Sequence, residues 1–243
     1  MTTAPPDDQR KLLEVQALDT RLQQLAHSRR NHPTLARITE LEGQLKDLNG
    51  SLVESRTAVA DLKRELTKAE ADVEQVRSRA ARDRQRLDSG SVGAKDAVAL
   101  TDEIASLSKR QGVLEEIELD VMERLEAHEE ALTKVTAAYD ALAADRDAAG
   151  ADRDAGWAEI DAEAAAVTTE RNGLAEKLDA PLVTMYERIR AHQGGLGAAA
   201  LREGRCEGCR LELPPGDLAA ARAAAPEQVV TCEECGRILV RGA

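Results

Sequence analysis

The chain has 243 residues, of which 42% are hydrophobic, 32% charged and only 1% aromatic, with no Phe, one Trp and two Tyr. Large rings supply much of the buried area of ordinary cores, so this composition argues against one compact globule and for long helices built on Ala, Leu and Val. A net charge of −12 and a pI of about 5.0 argue against a general polyanion binder, while leaving room for a local basic patch.

No stretch approaches ~18 uninterrupted apolar residues, so no membrane span is expected. Residues Met1 to Asp8 lack a basic n-region and an apolar h-region, so no secretory signal is expected either. The expected location is the cytoplasm, where thiols stay reduced and clustered cysteines are metal ligands before they are disulfides.

Apolar residues then recur at steps of three and four. Leu18, Leu22 and Leu25 begin the pattern, and Asn31-His-Pro-Thr34 interrupts it, because Pro33 removes a backbone donor and disfavours helix at His32. From Ile38 the stripe runs through Leu41, Leu45, Leu48, Leu52, Val59, Leu62, Leu66, Ala69, Val73 and Val76. So narrow a stripe, held this long, is the seam of a coiled coil. Asp88 to Gly93 carries two glycines and is a turn. A second stripe runs from Leu100 through Leu107, Leu114, Val121 and Leu132 to Leu142, resumes at Trp157, and ends with Pro181.

These elements predict a mainly α fold: a long antiparallel coiled-coil hairpin over residues 1–180, with its tip at 88–94 and a break at 31–34. A helix and glycine hinge follow at 181–195, then a small C-terminal zinc ribbon at 196–243. With the tip near Ser91, residue i faces roughly residue 182 − i, and Pro33 faces Gly150. Charge supports the pairing: residues 1–87 hold 16 Lys and Arg against 14 Asp and Glu, and residues 88–180 hold 9 against 23. Arg77, Arg79, Arg82, Arg84 and Arg86 are expected to approach Asp96, Asp102 and Glu103.

All four cysteines lie in two CxxC pairs, Cys206/Cys209 and Cys232/Cys235. A CxxC turn aims two sulfurs at one point, and two such knuckles together form a tetrahedral thiolate site suited to one Zn²⁺. Gly208 and Gly236 sit where a knuckle needs backbone freedom. Pro214 to Asp217 leads into a short helix, Leu218–Ala225, and Val229–Thr231, Ile238–Val240 and Ala198–Leu201 are short strands. Four thiolates leave no open coordination position, so the site is structural rather than hydrolytic. A redox CxxC pair and iron–sulfur ligation are the alternatives, and the absence of a βαβ context favours zinc.

Arg202, Arg205, Arg210, Arg237 and Arg241 surround the knuckles, interleaved with glutamates. They are either a solvated, salt-bridged surface or, through Arg205, Arg210, Arg237 and Arg241, a nucleic-acid contact. His27, His32, His128 and His192 are scattered, and Trp157 and Tyr186 are packing residues at the seam and near the hairpin base. No phosphate-cradling Gly loop, nucleophile elbow or carboxylate pair with a pocket around it is seen, so no catalytic residue, enzyme activity, organic cofactor or small-molecule substrate is expected.

The run Pro181-Leu-Val-Thr-Met-Tyr-Glu-Arg-Ile-Arg190, Gly194-Gly195, Cys206 to Pro215 and Cys232-Glu-Glu-Cys-Gly-Arg-Ile-Leu239 resembles the bacterial C4-type zinc-ribbon proteins with an N-terminal coiled-coil hairpin. Ala94 to Ile104 resembles the return from that family's hairpin tip. The resemblance implies zinc on Cys206, Cys209, Cys232 and Cys235. It also implies an adaptor or chaperone-like regulator that binds secretion or flagellar components, an alternative sigma factor or a messenger RNA. The expected function is therefore a zinc-binding coiled-coil adaptor with protein partners, as monomer or dimer. The alternative is a nucleic-acid-binding regulator acting through the ribbon.

Overall fold

The protein is described here by a computed structural model covering residues 2–242. The chain forms two compact units. One takes in the chain up to Leu35 and from Gly150 onward; the other is Ala36–Ala149. In chain order the elements are α1 (Pro6–Arg30), α2 (Pro33–Asp88), α3 (Ala94–Ala175), α4 (Ala180–His192), β1 (Ala198–Arg202), β2 (Arg205–Cys206), α5 (Pro215–Ala223), β3 (Val230–Thr231) and β4 (Ile238–Val240).

In the second unit α2 and α3 form the antiparallel hairpin. Ile38, Leu41, Leu52, Val59, Leu62, Ala69, Val73 and Val76 are buried on α2, and Leu107 and Val121 on α3, so the apolar stripe is the seam. Cross-arm ion pairs lie at its edges: Lys63–Glu129 at 2.8 Å, Arg77–Glu115 at 2.6 Å and Arg79–Glu103 at 2.7 Å. Both partners in each are exposed, so each pair contributes ~0–1 kcal/mol, and the seam carries the stability.

The register differs from the 182 − i expectation. Val76 and Ala80 share a cluster with Leu107 and Leu114, and Lys63 meets Glu129. These pairings slide α3 by several residues relative to a symmetric tip. With Ala80 beside Leu107, the end of α2 falls opposite about residue 99, and the first turn of α3 has no α2 residue facing it. Val98 is accordingly 64% exposed. Of the tip arginines, Arg79 finds Glu103 as expected, whereas Arg77 finds Glu115.

In the first unit the break at Asn31–His32 separates α1 from α2. It faces Gly156 rather than Gly150: a Cβ on Gly156 would lie 2.4 Å from His32 Nε2. Trp157 Nε1 donates to Arg29 O at 3.1 Å, satisfying one of the carbonyls that the end of α1 leaves bare. The Arg29 and Arg153 guanidinium groups sit 4.5 and 4.9 Å from its ring. Helix α3 ends at Ala175, before Pro181. Pro181 instead opens α4, where its missing N–H costs nothing, and Asp179 caps that helix by accepting from Leu182 N at 3.0 Å.

The four strands form one sheet in the order β2-β1-β4-β3, with β1 and β4 parallel and the other pairs antiparallel. Successive residues of a strand point to opposite faces. Ala198 of β1 and Ile238 and Val240 of β4 join Leu12 and Val15 of α1 and Leu182 and Tyr186 of α4 in one core. Ala199 and Leu239 point the other way, into a second core with Cys206, Cys232 and Leu213. All three residues of β4 are 0% exposed, because the sheet is covered by helices on one face and by the cysteine knuckles on the other.

The Gly194–Gly197 stretch, read from sequence as a hinge, is clamped on several sides. Gln16 Oε1 accepts from Gly197 N at 2.7 Å and Ala198 N at 3.2 Å, and Gln16 Nε2 donates to Gly195 O at 3.1 Å. Gly197 lies so close to Tyr186 that an added Cβ would sit 2.7 Å from two ring carbons. Residues before α1 also join the ribbon: Ala4 N donates to Glu227 O at 2.8 Å, and Val229 N to Thr2 O at 3.0 Å.

Candidate metal centre

The two CxxC turns are built alike. In the first, Arg210 N donates to Cys206 O at 2.7 Å; in the second, Gly236 N donates to Cys232 O at 2.7 Å. The residue four after each leading cysteine adopts a left-handed backbone, Arg210 at φ 64° and Gly236 at φ 69°. Glycine is used at one of these equivalent corners and arginine at the other. Gly208 serves a different purpose from the one expected: a Cβ there would lie 2.7 Å from Arg237 Cδ and 3.0 Å from Ala199 Cβ. The position is small because Arg237 packs across it.

The sheet brings the two turns together. Cys206 lies on β2, and Cys232 N donates to Arg237 O at 2.8 Å beside β4. The Cys206 and Cys235 sulfurs are 3.9 Å apart, those of Cys209 and Cys232 are 4.0 Å apart, and all four Sγ atoms lie within 4.8 Å of one another. A tetrahedral site with Zn–S of ~2.3 Å has an S–S edge of ~3.8 Å. The cage therefore matches a tetrahedral thiolate ion in size, and its sulfurs are far beyond disulfide distance (~2.05 Å). Four soft donors without a carboxylate or imidazole suit zinc.

The thiols are electrostatically unequal. Burial pushes Cys232 up to about 12, and neighbouring thiols add to the effect, against backbone N–H donors from Cys235 and Glu234. Burial likewise raises Cys206. For Cys235 burial also acts upward, but the Arg237 backbone and side chain donate to its sulfur, with help from Cys232 and Cys209, and hold it down at about 7.

Arg237 and Arg241 are committed to internal acceptors. Arg237 donates to Leu196 O at 3.0 Å and Gln193 O at 3.1 Å, tying the second knuckle to the turn after α4. The Arg241 guanidinium donates to the carbonyls of Ala221, Ala224, Ala225, Pro226 and Gln228. Arg205 and Arg210 are exposed, and their side chains have no hydrogen-bond or ion-pair partner among the described residues. None of the histidines joins the cysteine cluster.

A buried polar group links the hairpin base to α4. Tyr186 OH donates to Asp19 Oδ2 at 2.6 Å, and Arg171 donates to both Asp19 oxygens at 3.1 and 3.2 Å. Arg171 also pairs with Glu187, which Arg190 contacts at 2.8 Å. Asp19 is 2% exposed. Burial and the Asp19 carboxylate raise the Tyr186 hydroxyl well above its ordinary value, so it remains a donor. Sequence reasoning placed Tyr186 near the base but missed Gln16 and Asp19. Their one visible signal is that polar Gln16 and Asp19 fall among the apolar positions Leu12, Val15, Leu18 and Leu22.

The sequence matches the CT398-like coiled coil hairpin domain over residues 15–194 and the C4-type zinc ribbon domain over 205–239. An uncharacterised protein of Mycobacterium tuberculosis H37Rv is 39% identical over 233 residues, covering 96% of this chain and 95% of the relative. A solved structure from Mycobacterium smegmatis aligns with a TM-score of 0.89 at 35% identity, covering 99% of this chain and 100% of that one. The structure of CT398 from Chlamydia trachomatis aligns with a TM-score of 0.69 at 20% identity, covering 97% and 98%, and shares the fold.

Proposed function

From a chain that belongs to the CT398-like coiled-coil hairpin family and ends in a C4-type zinc ribbon, we propose a non-enzymatic adaptor. One zinc ion, held by Cys206, Cys209, Cys232 and Cys235, stabilises the sheet, and the hairpin presents faces to partner proteins. The observation that carries this reading is the double burial of β4, with Leu239 against the cysteine core and Ile238 and Val240 against α1 and α4. The metal's role there is to hold the ribbon sheet folded against α1 and α4. Four thiolates close the coordination shell, so zinc bound there supplies structure and no site for water or substrate. The proposed setting is the cytoplasm, whose reducing conditions preserve thiolate ligands.

A cavity of about 420 Å³ lies between the first turn of α1, the β1–β2 turn and α5. Its Gln9 amide and Arg241 guanidinium are taken up by backbone carbonyls, and its lining pairs no nucleophile with a base.

The nucleic-acid alternative is favoured by one observation, the exposed and unpaired Arg205 and Arg210. The commitment of Arg237 and Arg241 weighs against it, as do the neighbouring Glu203, Glu207 and Glu212. Two measurements test the adaptor reading. Elemental analysis should find one zinc per chain. Capture with the intact protein should retain a stoichiometric protein partner. RNA or DNA binding that weakens steeply with salt and is lost on Arg205→Ala with Arg210→Ala would replace it with the nucleic-acid reading.

A further inference from the structure

One edge of the hairpin carries bare apolar side chains ringed by carboxylates. Lys63–Glu129 and Arg77–Glu115 join α2 to α3 in the same register, and the partners lie 14 residues apart along each helix, 63 to 77 and 115 to 129. Alternating steps of four and three keep to one edge of a coiled coil. The positions bracketed by the two pairs are therefore Thr67, Glu70 and Glu74 on α2, and Leu119, Met122 and Glu126 on α3. Leu119 is 56% exposed and Met122 48%, whereas Val121 between them is sealed in the seam. Glu70 and Glu74 lie along the same edge as Leu119 and Met122. Glu74 accepts a hydrogen bond from Ser78 at 2.8 Å. No cation stands on this edge between the two pairs.

Charge decides what can cover it. A nucleic acid or an anionic lipid surface would meet three carboxylates. A second copy docked about a two-fold axis would set the same patch against itself, carboxylates against carboxylates. A helix with an apolar stripe flanked by Lys or Arg satisfies both the exposed Leu119 and Met122 and the rim. We infer that this edge docks a basic amphipathic helix of a partner protein. Its apolar side chains seat on Leu119 and Met122, and its cations reach Glu70, Glu74 and Glu126. The bracketed span of 14 residues gives a footprint of ~21 Å, about four helical turns. This inference rests on the adaptor reading and assigns it a place and a class of partner.

The test uses the full-length, metal-loaded protein and a labelled synthetic helix with Leu at i, i+3, i+4 and i+7 and Lys on its flanks. A second peptide replaces every Lys with Glu. Fluorescence anisotropy should show binding of the Lys helix, weakened but retained at ~0.15 M salt, and none of the Glu helix. Leu119→Gln with Met122→Gln should weaken binding at least tenfold while circular dichroism shows unchanged helicity, since neither side chain enters the seam. Charge reversal at Glu70, Glu74 and Glu126 should abolish binding. The same reversal at Asp140, Asp145 and Asp152, matched in net charge, should leave it within threefold. Equal losses in the two charge variants, or an unaffected glutamine variant, would reduce the effect to general attraction and overturn the assignment. A captured partner that survives the glutamine changes also overturns it while leaving the adaptor reading intact. Selective Lys-helix binding with no partner for the intact chain supports the groove and removes the adaptor reading.

Discussion

Stripping the metal should loosen more than the ribbon. From sequence alone, chelation is expected to unfold residues 196–243 and spare the hairpin. The shared core changes that expectation. Ile238, Val240 and Ala198 cover Leu12, Val15, Leu182 and Tyr186, all of which are essentially closed to solvent. If loss of the ribbon uncovers about half of each of those four side chains, at ~1.5–3 kcal/mol for full burial, the base loses ~3–6 kcal/mol. That is ~10²–10⁴ in the local opening constant. Hydrogen exchange with and without a strong chelator should therefore show faster exchange in α1 near residues 12–19 and in α4, as well as in the strands. Residues 36–149 should keep their protection, because their seam is self-contained. Unchanged exchange in α1 and α4 in metal-free protein would refute the shared-core argument, and so would loss of protection throughout the hairpin.

Zinc uptake should release protons unevenly. In the metal-free cage Cys232, held up near 12, keeps its proton across the neutral range, whereas Cys235, at about 7, is about half ionised at pH 7. Zinc affinity should thus fall as pH drops, more steeply below about 7, where Cys235 also takes up a proton. Calorimetry in two buffers should find that Cys232→Ser removes about one released proton at pH 7 and Cys235→Ser about half of one. Tyr186→Phe deletes the donor that Asp19 holds at 2.6 Å and leaves that buried carboxylate short of a partner. It should cost ~1–3 kcal/mol and lower the thermal midpoint by about 3–10 °C. Gly197→Ala forces a methyl into the Tyr186 ring and backbone oxygen, which have no room to retreat. It should cost at least ~1–3 kcal/mol in chemical denaturation, and an unshifted midpoint would show that the turn can open.

The parts of the structure that could be read in the sequence are those written as repeats or fixed spacings. The hairpin followed from a seam of more than thirty residues with one period, and the cluster of four cysteines from two CxxC pairs and nothing else. Strands β1 and β4 were visible as short apolar runs, whereas the two-residue β2 was not, since Arg205-Cys206 carries no alternation. The register slipped because a glycine turn fixes where the chain reverses but not how far the returning helix overruns it; only packing at Ala80 and Leu107 decides that. The hinge expectation failed for a related reason. Three glycines around one leucine look permissive in sequence, but Gln16, far away in the chain, takes up their backbone groups, and Tyr186 of the preceding helix takes up their space. The alternation of β4 holds the deeper lesson. Ile238-Leu239-Val240 is apolar throughout, and a strand with no polar face must be covered on both sides. The ribbon's own cysteines can cover only one. That run already demanded a second layer, and α1 with α4 supplies it.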